Sequence, residues 1–475
     1  MERHQEGTFR RELGLLDASA IVAGSMIGSG IFIVSADVAR TVGSPGWLLV
    51  LWGLNAVITV LGALSYGELA AMMPRAGGQY VYLREAYSPL LGFLYGWTLF
   101  LVIQTGTIAA VAVAFAKFLG VLVPWVSAQQ VLVQLGPVTL STQRLVAIAV
   151  IVVLSWSNSR GIREGKLVQN VFTTAKVVGL LALIGLGLFV ANSTEARAAN
   201  FDNVWGDTSL SLGFLMLIGG AMVGPLFSSD AWNNITFTSS EIKNPHRTLP
   251  LSLLGGTGVV MALYLLINLA YLYMLPLVGA ADGATVVARG IQHASEDRVA
   301  TAAASVVFGA SAASIMAVAI MVSTFGCLNG LILSGPRLYY AMARDRLFFA
   351  RTGVLNAGGV PAGGLWLQTL WASVLTLSGT YGNLLDYVVF AALLFYVLTV
   401  MGLFILRRTQ PEVERPYRVH GYPWVPGLYV VIASVIMIDL LFVKPAYTWP
   451  GLLIVLTGVP VYLLWQRRAA VVLQG

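Results

Sequence analysis

The first long apolar run of the chain, residues 15–42, is interrupted at its middle by glycine and serine. The interruption reads Gly-Ser-Met-Ile-Gly-Ser-Gly over residues 24–30. A glycine costs a helix about 1 kcal/mol relative to alanine, and a serine side chain competes for the hydrogen bonds of its own backbone. Gly28 lies roughly 20 Å along a helix from Leu15, deep in a hydrocarbon layer about 30 Å thick. A membrane helix with this sequence is therefore expected to break near its centre.

A broken backbone at this depth is tolerated only where it is buried in protein or lines a hydrated cavity. We therefore predict a discontinuous helix, with one half ending near Ile27 and the second beginning near Ile31. Gly24 and Gly28 also form the small-xxx-small pattern of ordinary helix packing. This run alone therefore does not distinguish a broken helix from a continuous helix that packs closely against a neighbour. A phosphate-binding loop is excluded, because no Lys-Ser or Lys-Thr pair follows and no strand precedes.

The composition predicts an all-α polytopic membrane protein. Of 475 residues, 57% are hydrophobic and only 10% are charged, whereas soluble proteins carry roughly 25% charged residues. The chain has one cysteine, so no internal disulfide is possible. Runs long enough to cross a bilayer predict twelve transmembrane helices, at about 15–42, 46–73, 89–118, 143–158, 167–191, 209–240, 249–276, 301–343, 362–380, 384–406, 425–443 and 447–466.

The 28 lysines and arginines are distributed unevenly between the loops on the two sides. If both ends lie on one side, that side carries most of them, and such an excess is typical of cytoplasmic loops. We therefore predict a multi-pass protein in the lipid bilayer of the cell membrane, with both termini in the cytoplasm. The net charge of +7 does not indicate nucleic-acid binding, because the basic residues are scattered singly along loops.

The sixth run is also polar and irregular at its middle. It contains two glycines at 219–220 and then Gly-Pro-Leu-Phe-Ser-Ser-Asp over residues 224–230. Proline removes a helical hydrogen bond, and aspartate at membrane depth is costly unless it is paired or hydrated. Interrupted first and sixth spans indicate an inverted-repeat transporter whose site lies between them at the membrane midplane. This second interruption favours a discontinuous first helix over simple packing.

The ends of the broken helices predict a binding site for a zwitterion. The second half of the first span begins near Ser29 and Gly30, where free amides and the positive end of the helix dipole suit a carboxylate. The first half ends near Met26 and Ile27, and the first half of the sixth span ends near residues 226–227. Their free carbonyls suit an ammonium group or a metal cation. An amino acid is the obvious small zwitterion.

Three side chains near these breaks each have more than one possible role. Lys176, near mid-membrane, would take the place of a sodium ion beside the free carbonyls, release a proton during transport, or be paired structurally. Asp230 would meet a basic group of the substrate, or backbone amides at the start of the second half-helix. Phe227 would close over the substrate as a gate, or pack in the core. No catalytic constellation or metal-ligand spacing occurs, so we expect no enzyme, cofactor or metal.

Several motifs resemble one family of membrane transporters. Residues 28–32, Gly-Ser-Gly-Ile-Phe, resemble the substrate-site signature of the amino acid–polyamine–organocation (APC) superfamily. The resemblance is to its L-amino-acid transporter (LAT) family, bacterial type, at residues 43–46, 62–69, 77–83, 232–233, 241–245, 249–250 and 323–330. It is close over the first eight runs and looser over the last four.

The resemblance implies one transporter domain, built from inverted repeats at about 15–191 and 209–406 with trailing helices at about 425–466. It implies sodium-independent transport, usually the exchange of one amino acid for another. In the family, residues matching Met26, Ile27, Ser29 and Gly30 hold the substrate's carboxylate and amino ends. Phe227 matches the gating aromatic, and Lys176 matches a lysine at the would-be sodium position. The predicted substrate site comprises Met26, Ile27, Gly28, Ser29, Gly30, Phe227, Ser228 and Asp230.

The sequence departs from the family in two places. Animal members join a glycoprotein through a cysteine in the loop after the third span; residues 120–142 have none, so we expect no disulfide-linked subunit. Asp230 stands where many neutral-substrate members have a small residue. At this position the sequence resembles members that accept dibasic amino acids or cystine. We predict an antiporter for neutral L-amino acids and, through Asp230, dibasic ones. The alternatives are a proton-coupled amino acid or polyamine symporter and, more remotely, a channel or intramembrane enzyme.

Overall fold

The structure, a computed structural model, describes residues 9–135, 138–191, 193–206, 211–378 and 381–474. Most of these residues are helical, and one antiparallel hairpin pairs Val131–Leu135 with Val138–Ser141. The α-helices of the described chain are α1 (Leu15–Met26), α2 (Gly30–Val42), α3 (Pro45–Met72), α4 (Gln79–Ala86), α5 (Pro89–Thr98), α6 (Gln104–Leu122), α7 (Thr142–Arg160), α8 (Ile162–Gly185), α9 (Thr194–Phe201), α10 (Leu212–Ala221), α11 (Val223–Ser228), α12 (Pro245–Met274), α13 (Val286–Arg289), α14 (Val299–Phe308), α15 (Ala312–Arg344), α16 (Ala362–Ser378), α17 (Tyr381–Thr409), α18 (Trp424–Val443) and α19 (Pro445–Gln474).

Segments of other helical geometry extend several of these helices. A π-helical turn joins α5 to α6, a second one continues α8, and a 3₁₀ helix forms the second half of the sixth predicted span. Such irregular segments are frequent at functional sites. The π-helical turns are Leu99–Ile103 and Leu186–Val190, and the 3₁₀ segments are Trp232–Glu241, Ser295–Asp297, Gly309–Ser311 and Ala350–Gly353.

The predicted apolar runs coincide with helices, and the all-α polytopic membrane fold is confirmed. Within the described residues, nine helices are long and apolar enough to cross a membrane, or ten if the bent pair α1 and α2 forms one span. The remaining two predicted runs correspond to α7, which is polar at both ends, and α16, described over 17 residues. Residues 209–210 and 379–380 of the predicted runs lie outside the described part of the chain.

Local sequence accounts for where several helices begin and end. Ser44 and Ser88 each precede a proline at the first helical position, and their hydroxyls accept hydrogen bonds from backbone amides three residues on, at 3.4 and 3.3 Å. Proline suits this position because its missing N–H would be unpaired there anyway. Gly43 ends α2 with a φ of +64°, a left-handed conformation that glycine adopts without strain.

Both predicted interruptions are present in the structure. In the first span, α1 ends at Met26 and α2 begins at Gly30, with their axes bent by 42°. In the sixth span, α11 ends at Ser228, and the chain leaves helical geometry before the 3₁₀ segment that starts at Trp232. Between these two segments, Ala231 has a φ of +65°. A non-glycine residue in this region is strained, and such strain clusters at functional sites.

Contacts at the amino-terminal end of α1 tie it to the chain after the sixth span. Leu13 forms a parallel β-bridge with Ile242, and the Lys243 amide donates to the Leu13 carbonyl at 2.9 Å. Nearby, Arg337 of α15 donates two hydrogen bonds of 2.9 Å to the carboxylate of Glu241. Both side chains are only 1% exposed. These contacts join the first, sixth and eighth spans and close the bundle at this end.

We predict that Arg337→Gln lowers the free energy of unfolding by about 3–5 kcal/mol, because it leaves the buried Glu241 carboxylate without its partner. Thermal unfolding of the purified protein measures the loss. Arg163→Gln serves as the control, because that guanidinium is 77% exposed where it pairs with Glu12, and exposed pairs stabilise little. Equal losses for the two variants would contradict the prediction.

Candidate functional site

The two interrupted spans meet at Gly30 and Ser228. A Cβ atom added to Gly30 would lie 2.2 Å from the Ser228 hydroxyl oxygen and 3.1 Å from its Cα, so no larger residue fits without a backbone shift. The hydroxyl of Tyr264 on α12 lies 2.9 Å from the Ser228 carbonyl and 3.2 Å from the Met26 carbonyl. The tyrosine therefore bridges the end of α1 and the end of α11.

Lys176 of α8 lies against the carbonyl end of α1. Its ammonium donates hydrogen bonds to the carbonyls of Gly24 and Ile27 at 2.7 Å each, and to the Ser323 carbonyl at 3.1 Å. Three donors thus meet three acceptors. Among the described residues, no carboxylate lies within ion-pair distance of this buried ammonium. The charge is held by backbone dipoles, which a helix carbonyl end supplies.

Other side chains occupy the remaining carbonyls at the end of α1. The hydroxyl of Ser323 lies 3.1 Å from the Ile27 carbonyl and 3.0 Å from the Gly28 carbonyl. The thiol of Cys327 donates to the Ser25 carbonyl at 3.0 Å. The carbonyls that the break releases from helical bonding thus accept hydrogen bonds from side chains, and one of the donors is an ammonium, a group that the sequence predicts at this end. That these carbonyls also bind the amino group of a substrate remains a prediction. Side chains of α8, α12 and α15 supply the donors, because unpaired carbonyls at this depth would be costly.

The amide end of the break, in contrast, matches the sequence expectation. The amides of Gly28, Ser29 and Gly30 donate to no acceptor within the described chain, and α2 begins with a bond from the Phe32 amide to the Ser29 carbonyl at 3.1 Å. Unpaired amides at a helix start form the geometry that binds anions. That a substrate carboxylate binds here remains a prediction.

Asp230 has a hydroxyl partner from the tenth predicted span. Its carboxylate accepts a hydrogen bond of 2.6 Å from Tyr396 of α17, whose hydroxyl oxygen also lies 3.2 Å from the side-chain oxygen of Asn233. Asn233 in turn donates to Gln79 at 2.7 Å. No described lysine or arginine lies within ion-pair distance of Asp230. A carboxylate with only neutral partners at membrane depth is a candidate contact for a cation.

The space around the breaks is closed in this structure. One cavity of about 30 Å³ lies between Asp230, Thr59 and Tyr429, and another of about 10 Å³ lies between Asp230, Gln104 and Asn233. Cavities of this size hold about one or two water molecules. The predicted contact residues Met26, Ile27, Ser29 and Ser228 are at most 3% exposed. These cavities are too small to hold an amino acid in this structure.

Phe227, the predicted gate, lies on α11 directly before Ser228. Its side chain is half-buried and packs against the main hydrophobic core. This environment is compatible with both alternatives drawn from the sequence, a movable gate and a packing residue. The gating role of Phe227 therefore remains a prediction.

The sequence did not identify Tyr264 and Tyr396, although each contacts a break. The only signal was a hydroxyl group inside an apolar run, because a buried tyrosine hydroxyl usually finds a partner. The run containing Tyr264 also holds Tyr271 and Tyr273. The sequence therefore could not show which of the three would reach α1 and α11.

Comparison with known proteins gives consistent similarities along the whole chain. A family model described as amino acid permease matches residues 13–462. The b(0,+)-type amino acid transporter 1 of Homo sapiens is 30% identical over 468 residues, covering 96% of this chain and 88% of that protein. The serine/threonine exchanger SteT of Bacillus subtilis is 30% identical over 469 residues, covering 98% and 99%. The large neutral amino acids transporter small subunit 2 of Mus musculus is 29% identical over 475 residues, covering 97% and 82%.

We predict that Tyr264→Phe lowers the free energy of unfolding by about 1–3 kcal/mol, because the Met26 and Ser228 carbonyls lose a buried donor. Thermal unfolding measures the effect. Tyr273→Phe is the matched control on the same helix, because its hydroxyl bonds to no described group. The prediction fails if the two variants unfold at the same temperature.

Proposed function

The chain belongs to the amino acid permease family, and from this premise we propose that it is a sodium-independent L-amino acid antiporter working by alternating access. Its relatives include amino acid transporters and a serine/threonine exchanger by name. The observation that carries the proposal is the Lys176 ammonium on the carbonyls of Gly24, Ile27 and Ser323. We propose that this ammonium occupies the position at which a coupling cation binds in sodium-dependent transporters.

The fixed ammonium supports the proposal that transport does not depend on sodium. Discontinuous helices of sodium-coupled transporters bind the ion with unwound backbone carbonyls. Here Lys176, a residue of α8, donates to carbonyls at the end of α1 and cannot dissociate as an ion would. A sodium ion at this position would have to displace the ammonium from three hydrogen bonds. In this proposal no sodium gradient drives transport, and the concentration gradient of the exchanged amino acid supplies the driving force.

In the proposed substrate pose, the two poles of an amino acid meet opposite ends of the broken helices. The carboxylate accepts hydrogen bonds from the amides of Gly28, Ser29 and Gly30. The amino group uses the second lone pair of carbonyls at the ends of α1 and α11, since each carbonyl can accept two hydrogen bonds. Phe227 closes over the bound substrate. A basic side chain extends to Asp230, which extends the substrate range from neutral to dibasic amino acids.

Alternating access is assigned to two inverted repeats of five spans, at about 15–191 and 209–406, with trailing helices at about 425–466. The break in the first span and the break in the sixth would be equivalent elements of the two repeats. The protein would act alone in the cell membrane with both termini in the cytoplasm. Residues 120–142 contain no cysteine for a disulfide-linked subunit. The chain would be a transporter and not an enzyme.

Counterflow into proteoliposomes tests the proposal. Vesicles preloaded with unlabelled serine or arginine should take up labelled amino acid much faster than empty vesicles. Uptake should be unchanged when choline replaces sodium on both sides. Uptake that ignores the internal amino acid and follows an imposed pH gradient would instead establish the proton-coupled symporter, and ohmic currents would establish a channel.

We predict that Lys176→Ala slows exchange much more than it weakens substrate binding, because the amides that hold the carboxylate remain in place. Exchange rates and equilibrium binding of the same labelled amino acid separate the two effects. Lys243→Ala removes an exposed lysine side chain and controls for loss of positive charge. An unchanged exchange rate in Lys176→Ala would remove the lysine from the mechanism.

We predict that Asp230→Asn reduces arginine uptake by about tenfold or more, from the loss of a charge-assisted hydrogen bond, and leaves alanine uptake nearly unchanged. Uptake of both labelled amino acids measures the selectivity. Tyr396→Phe is the control, because it removes the carboxylate's hydroxyl partner while keeping the charge, so it should retain the arginine preference. Equal losses of arginine and alanine uptake, or no arginine uptake by the unmodified protein, would exclude this role.

A further inference from the structure

A cavity of about 300 Å³ lies away from the broken helices, beside α13, α14 and the start of α15. We call it the arginine cavity, because Arg289 and Arg298 both line it. Hydroxyl side chains of Ser295, Thr301 and Ser305 complete its polar part, and the other lining residues are Val286, a glycine and several alanines. Among the described residues that line it, none is acidic. Guanidinium and hydroxyl donors without carboxylates form a donor set for an oxyanion.

The two arginines have hydrogen-bonding capacity that the described protein does not use. Arg289 donates to the Ser295 hydroxyl at 2.8 Å and has no carboxylate within ion-pair distance in the described chain. The Nε atoms of Arg289 and Arg298 are both buried without an acceptor. Buried unpaired donors of this kind are rare and indicate an ion or water that the protein itself does not supply.

The charges around the cavity leave Arg289 uncompensated. Arg298 pairs with Glu296 at 2.8 Å, and Glu296 is shared with Lys117 at 3.2 Å. The neighbouring Asp297 pairs with Arg40 at 2.7 Å. Glu296 and Asp297 are thus paired with Arg298, Lys117 and Arg40, and Arg289 has no carboxylate partner among the described residues.

The surface next to the cavity is apolar. On α14 and α15, Val306, Phe308, Ile315 and Val318 are between 37% and 51% exposed. Exposed apolar side chains on the helices of a membrane-spanning bundle face the acyl chains of lipids. A molecule with a phosphate group and acyl chains would use both parts of this surface, whereas free phosphate would use only the polar part.

We propose that the arginine cavity binds the phosphate group of an anionic membrane phospholipid. The guanidinium groups of Arg289 and Arg298 hold the phosphate oxygens, and the acyl chains lie along α14 and α15. Basic pockets between membrane helices bind lipid headgroups by this combination of charge and apolar surface. The site is separate from the substrate site, and the proposal does not depend on what the protein transports.

The test measures lipid binding to the purified full-length protein by native mass spectrometry and thermal unfolding. The probes are phosphatidylglycerol, phosphatidylcholine and inorganic phosphate. Phosphatidylglycerol should bind and raise the unfolding temperature, and Arg289→Gln should weaken its binding by about tenfold, through loss of charge-assisted hydrogen bonds. Arg197→Gln is the matched control, because Arg197 is an exposed arginine on α9 stacked against Tyr273. It should bind the lipid like the unmodified protein.

A second variant keeps the test decisive if Arg289→Gln does not fold. Ala313→Leu fills the cavity but keeps both arginines, and it should weaken phosphatidylglycerol binding as well. Binding by Arg289→Gln or Ala313→Leu that equals that of the unmodified protein would overturn the proposal. Equal stabilisation by inorganic phosphate and phosphatidylglycerol would assign the cavity to a free oxyanion and overturn the lipid assignment, as would equal binding of phosphatidylcholine.

Discussion

The interruption of the first span depends on hydrogen bonds to the carbonyls that the interruption releases. An unpaired carbonyl in hydrocarbon costs several kcal/mol, so a helix cannot end at mid-membrane unless neighbouring side chains supply donors. Lys176, Ser323, Cys327 and Tyr264 supply them, from three different helices. The rest of the site follows, because these donors hold the end of α1 in place beside α11.

The resulting site is asymmetric. The carbonyl end of α1 is occupied by an ammonium that belongs to the protein, while the amides of Gly28, Ser29 and Gly30 donate to no described group. A ligand therefore finds positive potential at the start of α2 and a carboxylate at Asp230. In the proposed function these two poles would bind the carboxylate and the basic side chain of a dibasic amino acid. Under the proposed function, the lysine would stand in place of a coupling ion at the carbonyl end and leave the amide end for the carboxylate of the substrate.

Helix α15 runs past three features of the structure. α15 begins at the arginine cavity, carries Ser323 beside the break, and carries Arg337, which pairs with Glu241 near its other end. Breaking this buried pair would leave a charge without a partner and cost more than breaking an exposed pair. Lipid bound at the arginine cavity would contact the same helix at the opposite end from this pair.

The sequence by itself determined the membrane fold, the helical runs and the positions of both interruptions. The predicted break between Ile27 and Ile31 lies between Met26 and Gly30 in the structure, because helix-breaking residues and hydrophobic length act locally. The tertiary structure alone decided which groups the broken ends contact. The donors to the α1 carbonyls lie between 149 and 302 residues away along the chain, and Tyr396 lies 166 residues from Asp230. The sequence offered Lys176 as one possible partner of these carbonyls, but packing alone decided that Ser323, Cys327 and Tyr264 would also contact them.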